Sequence, residues 1–310
     1  MSSEPRVIGA EALRAALPMR AAIDALETAF RSGDPSGGPM RSSIETIAGS
    51  LLLMPAFDDA AVGVKLVTLT PDNPGRALPL IHATYALFDG QTQALAAILE
   101  GAELTALRTA AVSGLATRHL ARADASRLVI FGAGVQAHSH LEAMCAERPV
   151  TEVVVVSRTA GPAEQLVRVA RDRGLTASLG HPDAVADADL VCTCTTSEEP
   201  LFDGSSLPAG AHVNAVGTHR PTGRELDTET IRRGRVVVES RDVALAEAGE
   251  LVVPIEEGAI GPDHVAANLA ELVRGASVRR SDDDVTVFKS VGMAFEDLAV
   301  ARAVVGAVLA

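Results

Sequence analysis

The run Leu128-Val-Ile-Phe-Gly-Ala-Gly-Val-Gln-Ala137 sets four apolar residues before a glycine turn and a helical stretch that reaches Glu147. Residues of these types at this spacing can bind a pyrophosphate. Gly132 lets the chain turn out of a buried strand, and Gly134 carries no Cβ, so the backbone of Gly134, Val135 and Gln136 can approach an anion at the positive N-terminus of the following helix. Ala137 is the small residue where helix meets sheet. A turn that binds nothing has the same short pattern, but a second apolar run, Glu152-Val-Val-Val-Val-Ser157, follows at βαβ distance and ends where the residue reading a cofactor ribose belongs. An NAD site usually has Asp or Glu there. This chain has Ser157-Arg158-Thr159, a guanidinium and two hydroxyls that suit a 2′-phosphate. The expected cofactor is NADPH, with NADH the alternative.

Of 27 basic residues only Lys65 and Lys289 are lysine. A chain that writes nearly every cation as arginine keeps lysine where an ammonium is needed. Lys65 is flanked by Val64, Leu66 and Val67, so its charge either lies in a pocket or is a costly burial. Arg41 precedes the first expected strand and Arg108 stands at an expected helix start. Both read as surface salt bridges or as a clamp, since arginine holds a carboxylate through two parallel hydrogen bonds. His219 lies in the loop Gly217-Thr-His-Arg-Pro-Thr-Gly-Arg-Glu-Leu226, beyond the carboxyl end of a buried strand, where open α/β sheets bind ligands. Small residues there suit a nicotinamide, and an imidazole titrates near neutral pH.

The elements that must position these groups divide into two sets. Apolar spacing at Leu13, Leu17, Ile23, Leu26 and Phe30 predicts a short and a longer amphipathic helix, broken at Pro18, followed by a loop at Asp34–Pro39. Strands are expected at Ser50–Pro55, Gly63–Leu69, Thr84–Phe88 and Gln93–Leu99, the last two joined by an Asp89-Gly90 hairpin, in a mostly antiparallel sheet. A helix rich in small residues follows from Glu103 to His119. Further strands at Leu190–Thr195, Ala211–Val216, Arg235–Glu239 and Thr286–Ser290, with helices between them, make a parallel sheet. The fold class is α/β, a Rossmann-type dinucleotide-binding domain over residues 121–291 with a mixed α+β substrate domain over 1–120, completed by a C-terminal helix at 292–310. Thr109, Thr195, Val216, Gly217 and Ser290 are further expected cofactor contacts.

The 310 residues suffice for two cores, and with 3% aromatic residues and no tryptophan those cores are aliphatic. A net charge of −13 argues against a nucleic-acid partner. No apolar run is long enough to span a bilayer and the N-terminus lacks a signal-peptide core, so a cytoplasmic protein is expected. Cys145, Cys192 and Cys194 fit a reducing compartment, and no third or fourth ligand stands at zinc spacing, so no metal is expected.

Taken together, Leu53-Met-Pro-Ala56, Gly63-Val-Lys-Leu-Val67, Leu104-Thr-Ala-Leu-Arg-Thr-Ala-Ala111, Gly132-Ala-Gly-Val-Gln-Ala137, Asn214-Ala-Val-Gly217 and Phe288-Lys-Ser-Val-Gly-Met-Ala294 resemble the ornithine cyclodeaminase/mu-crystallin family over nearly the whole chain. The resemblance implies a homodimer joined through the N-terminal domains, with a small imino- or amino-acid substrate between that domain and the nicotinamide. It implies that Arg41, Lys65 and Arg108 contact the substrate carboxylate, with Lys65 near the reacting centre. Members that deaminate ornithine carry an aspartate where this chain has His219 and a glutamate where it has Leu52. The loop and the C-terminal block look more like the mu-crystallin branch, whose enzymatic members reduce cyclic ketimines with NADPH. The expected activity is reduction of a C=N bond beside a carboxylate, with Lys65, or His219 through water, giving the proton. An amino-acid dehydrogenase of alanine or opine type, an ornithine cyclodeaminase and a non-catalytic dinucleotide-binding protein are the alternatives.

Overall fold

The computed structural model describes residues 4–33, 35 and 38–309. The expected loop at 34–39 therefore lies partly outside the described residues. The chain divides into two compact units, one of Met1–Ala29, Gly37–Arg108 and Met293–Ala310, the other of Phe30–Ser36 and Thr109–Gly292.

The first unit contains β1 (Arg6–Ile8), α1 (Ala10–Ala16), most of α2 (Met19–Ser32), β2 (Ser42–Thr46), β3 (Gly49–Phe57), β4 (Ala61–Leu69), β5 (Ile81–Asp89), β6 (Leu95–Glu100) and the first part of α3 (Gly101–Leu120). Pro18 separates α1 from α2, and Leu13, Leu17, Ile23, Leu26 and Phe30 are all buried, as their spacing requires. The sheet order is β1-β6-β5-β4-β3-β2, antiparallel except where β1 pairs β6. Alternation decides its faces. Met54, Ala56, Ala61, Gly63, Lys65, Tyr85, Leu87, Ala97 and Leu99 are buried, whereas Val64, Leu66, Ala86 and Ile98 on the other face are only half-buried. The helix α10 (Ala294–Leu309) packs against β3, β4 and β5, and α1 packs against β6 and α10. Leu298, Val300 and Val304 of α10 are buried, each contributing about 1.5–3 kcal/mol by leaving water.

One turn differs from expectation. A two-residue Asp-Gly hairpin needs positive φ at its centre, but β5 and β6 are joined by Gly90–Ala94, with the positive φ at Gln93. The Asp89 carboxylate instead accepts from the backbone N–H groups of Gln91 and Thr92 and from the Thr92 hydroxyl. An Asx-type cap has replaced the tight turn.

The second unit is Rossmann-type. Its elements are β7 (Arg127–Phe131), α4 (Val135–Glu147), β8 (Glu152–Val156), α5 (Ala160–Asp172), β9 (Thr176–Leu179), β10 (Leu190–Thr193), β11 (His212–Ala215), α6 (Thr228–Arg233), β12 (Arg235–Val238), α7 (Arg241–Glu247), α8 (Gly249–Glu256), β13 (Val265–Asn268), α9 (Leu269–Val273) and β14 (Thr286–Lys289). The eight strands are parallel in the order β13-β12-β14-β11-β10-β7-β8-β9. From β7 the chain runs outward to β8 and β9, then crosses back to β10 on the other side, which opens a crevice at the carboxyl ends of β7 and β10. Two arginines close the carboxyl end of α3. Arg148 donates to the carbonyls of Thr117, Arg118, Ala121 and Arg122, and Arg279 to those of Leu120 and Gly210. Carbonyls at the open end of the helix thereby gain donors. Among the described residues no helix is long and apolar enough to cross a membrane.

Candidate active site

At the crevice of the second unit, Gly132 holds φ +98°, and a Cβ there would lie 2.4 Å from the Cys194 carbonyl oxygen. Only glycine fits this turn, which leads from β7 into α4 against the end of β10. Gly134 is the N-cap of α4 and makes no side-chain cap bond. A Cβ on Gly134 would meet nothing within 4 Å, and Val135 is 66% exposed. The first N–H groups of α4 thus face open space with the helix dipole behind them, an arrangement that fits a pyrophosphate. Gln136 is half-buried, and Ala137 is fully buried against the sheet. Next door, Gly132 N–H donates to the Val156 carbonyl, which brings the end of β8 beside the turn. Ser157 is half-buried and its hydroxyl accepts from the Thr159 N–H at 3.2 Å, leaving Arg158 and Thr159 exposed on the rim.

On the other side of the crevice, the ends of β10 and β11 are tied by one carboxylate the sequence did not single out. Glu225 accepts from the Thr195 N–H at 2.8 Å, the Thr195 hydroxyl at 2.7 Å, the Thr193 hydroxyl at 2.7 Å and the Gly217 N–H at 2.7 Å. Burial pushes its pKa up, against the opposing pull of Lys289 and these hydrogen bonds. Lys289 is fully buried too. Its ammonium lies 3.0 Å from Glu250 Oε2 and donates to the Thr218 carbonyl at 2.8 Å. Glu250 also accepts from the Thr218 hydroxyl and the Glu225 N–H. Thr195 and Gly217 are therefore brought together, with Val216 half-buried between them and β11. His219 is exposed, one residue past the clamped Thr218. Ser290 lies at the carboxyl end of β14 next to β11, its N–H donating to the Ala215 carbonyl; it is buried, its hydroxyl donating to Glu239 at 2.6 Å, and Glu239 also accepts from the N–H groups of Val291 and Gly292. Thr109 is buried on α3.

In the first unit Lys65 lies on β4 opposite Met54 and Tyr85 and is 1% exposed. Its ammonium lies 3.0 and 2.8 Å from the two carboxylate oxygens of Asp297. Arg108 stands about two turns inside α3 rather than at its start. It is a buried residue and not a surface salt bridge: Nη1 lies 2.7 Å from Glu296 and Nε 3.1 Å from Asp297. Lys65 and Arg108 thus share one carboxylate. Burial lowers the Lys65 pKa from 10.5 to about 8, opposed by Asp297 and reinforced by Arg108. Arg41 is half-buried and directly precedes β2, whose Ser42 pairs Leu53. One step along that register lies the row Met54–Lys65–Tyr85, so Arg41 enters this row two strands from Lys65. Leu52 is half-buried on β3.

The carboxylates Glu225, Glu239, Glu250, Glu296 and Asp297 escaped the sequence reading. One signal for Glu296 and Asp297 was present: two adjacent acids at the start of an otherwise apolar helical run. No cluster of three or more His, Cys, Asp or Glu that could hold a metal ion occurs among the described residues.

The pattern of the ornithine cyclodeaminase/mu-crystallin family matches residues 4–310. Delta(1)-pyrroline-2-carboxylate reductase of Bacillus cereus is 36% identical over 307 residues, spanning 96% of this chain and 94% of that protein. Ketimine reductase mu-crystallin of Mus musculus is 38% identical over 292 residues, spanning 91% and 90%. The solved structure of Thermococcus litoralis Delta(1)-pyrroline-2-carboxylate reductase in complex with NADH and L-proline aligns with a TM-score of 0.92 at 34% identity, covering 98% of this chain and 97% of that one.

Proposed function

The chain belongs to the ornithine cyclodeaminase/mu-crystallin family, and from that premise we propose that it is a nicotinamide-dependent oxidoreductase that reduces a C=N bond beside a carboxylate. The first substrate to test is 1-pyrroline-2-carboxylate and the second 1-piperideine-2-carboxylate. The observation that carries this reading is the buried Lys65–Arg108 pair, two adjacent cations on a unit separate from the one bearing the phosphate turn.

A bound nicotinamide supplies the hydride. The N–H groups at the start of α4 hold its pyrophosphate, and Arg158, with Ser157 and Thr159, favours the 2′-phosphate of NADPH over NADH. Glu225 keeps the backbone of Thr195 and Gly217 in place at the rim. Lys65 and Arg108, with Arg41, hold the substrate carboxylate and so fix the neighbouring imine carbon. Lys65, or His219 through water, gives a proton to the imine nitrogen, because a protonated imine accepts hydride more readily. Steady-state assays with both pyrroline and piperideine carboxylates, proline, alanine and ornithine test this reading. Imine reduction with NADPH should give the highest kcat/KM. Turnover of alanine or ornithine alone refutes it in favour of a dehydrogenase or cyclodeaminase, and cofactor binding without turnover on any of the panel refutes an enzymatic role.

The working form is a homodimer. The open face of the first unit's sheet supports this: exposed Val7 and half-buried Leu51, Leu66 and Ile98 line a hollow of about 700 Å³, and an open apolar face of that kind marks an association surface. A second copy of this sheet is the partner, and sedimentation equilibrium gives the mass. The three free cysteines support a cytoplasmic location.

A further inference from the structure

Lys65 and Arg108 are not bare cations waiting for a substrate. Asp297 faces both, through Lys65 Nζ at 2.8 Å and Arg108 Nε at 3.1 Å, and Glu296 takes a second Arg108 nitrogen at 2.7 Å. Both acids lie in the first turn of α10 and both are fully buried. Each of these cations has a carboxylate against it, which offsets the cost of burying its charge. We propose that Asp297 is a positioning residue, which orients the Lys65 ammonium and the Arg108 guanidinium toward a common substrate carboxylate, with Glu296 balancing the remaining charge. This rests on the carboxylate-binding role proposed above for Lys65 and Arg108.

The chemistry of the donors supports it. An ammonium has three N–H groups. Asp297 occupies two at most, which leaves one for a substrate oxygen or for transfer to an imine nitrogen. A carboxylate gripping Lys65 on one side sets the direction of the remaining donor, as a hydrogen-bond partner behind a metal ligand fixes that ligand's orientation. It also keeps the ammonium charged against burial, which by itself drives the proton off. Two other charged groups act on Lys65. Arg108 from α3 works against its charge and Glu296 from α10 in favour. Tyr85 on β5 is neutral, its hydroxyl pushed to a higher pKa by burial and then by Asp297 and Asp58.

The lysine count gives a direct readout. With two lysines in the chain, protein labelled with ¹³Cε-lysine shows two lysine signals, and the Lys65→Met variant assigns them. In the wild type the Lys65 signal should titrate near pH 8. In Asp297→Asn it should titrate at least one pH unit lower, with the Lys289 signal unmoved. In the same variant kcat/KM for 1-pyrroline-2-carboxylate should fall at least tenfold and lose activity at lower pH than the wild type, while KM for the dinucleotide stays the same. Asp297→Glu, which keeps the charge, should recover the wild-type basic limb. A folded Asp297→Asn protein whose Lys65 signal titrates at the wild-type pH overturns the proposal. Should Asp297→Asn not fold, Lys65→Met/Asp297→Asn restores charge balance as an Arg108–Glu296 pair and should fold again; a double variant no more stable than the single one overturns the pairing. A wild type that turns over no imine refutes the proposed function, and the lysine titration still decides whether Asp297 governs Lys65.

Discussion

Lowering the pH from 7.5 to 5.0 should weaken the Rossmann unit through two histidines that take no part in the proposed chemistry. His140 on α4 is fully buried, with Nδ1 2.8 Å from the Gln136 carbonyl and Nε2 3.0 Å from the Ser113 hydroxyl. A carbonyl only accepts, so Nδ1 carries a proton. Burial lowers its pKa from 6.5 to about 4, slightly offset by the Gln136 bond. His212 on β11 is lowered from 6.5 to about 3, by burial first and then by Arg279 and Arg148. In both cases the unfolded chain binds the proton more readily. The stability they contribute is complete above pH 6.5 and is lost as the pH falls from there toward the folded values. At pH 5.0 the unfolded ring is almost fully charged and the folded one almost neutral, so each histidine costs about 2 kcal/mol, and the two together about 4 kcal/mol. His138 is lowered as well, by burial and Arg173, and acts in the same direction. Urea unfolding followed by circular dichroism across pH 7.5–5.0 measures the slope, and His140→Gln should remove about half of it. An unfolding free energy that is flat across this range, or a His140→Gln protein with the full wild-type slope, would refute the reasoning.

Three further outcomes follow from the site. Arg158→Asp should reverse the cofactor preference: an exposed charge-assisted hydrogen bond is worth about 1.5 kcal/mol, so kcat/KM with NADPH should drop about tenfold while NADH gains, and equal use of both cofactors by the wild type would defeat the assignment. Lys65→Met should nearly abolish imine reduction with dinucleotide affinity unchanged by fluorescence titration, and because it takes the ammonium away from the buried Asp297 carboxylate it should also lower stability by about 3–5 kcal/mol. His219→Ala should reduce kcat and flatten the pH dependence of reduction, and ornithine should yield no proline at a useful rate in the wild type or in His219→Asp, since Leu52 still stands where the second carboxylate would be needed; an unchanged pH–rate profile in His219→Ala would make the histidine a lining residue only.

Where a residue's type constrains the backbone or its period constrains a face, the sequence was legible. Pro18 separates α1 from α2, the apolar spacing of α2 puts Ile23, Leu26 and Phe30 in the core, and the strand-glycine-helix run marks β7, the turn at Gly132 and α4 to its last residue. The burial of Lys65 followed from its apolar neighbours. The same argument holds for Lys289, which sits after Val285, Val287 and Phe288. The strands β1, β2, β9 and β13 were not seen because they are three to five residues long and lie at sheet edges, where half the periodic signal is missing. The buried acids were invisible for a different reason. A glutamate gives no sign in sequence of whether it faces water or an ammonium, and Glu225, Glu250 and Asp297 meet partners 30, 39 and 232 residues away. Pairing of that kind is a property of the tertiary fold alone.

The same distinction explains the near-absence of lysine and gives a last prediction. Of 27 cations 25 are arginine (27 − 2), and both lysines are buried with a carboxylate against the ammonium. Lys289 Nζ has Glu250 Oε2 at 3.0 Å, the Thr218 carbonyl at 2.8 Å and the Thr218 hydroxyl at 3.3 Å. Three acceptors match the three donors of an ammonium. A planar guanidinium brings five donors and more volume into a space that is fully closed. Lys289→Arg should therefore lower stability by about 1–3 kcal/mol through overpacking, and it should loosen Thr218 and the loop that carries His219. Lys289→Met, which fits the volume but leaves Glu250 charged and buried, should be worse, at about 3–5 kcal/mol. Urea midpoints of the two variants give the order. If Lys289→Arg is as stable as the wild type, the space accepts either cation, and the retention of lysine at this position has no basis in the fit of its ammonium.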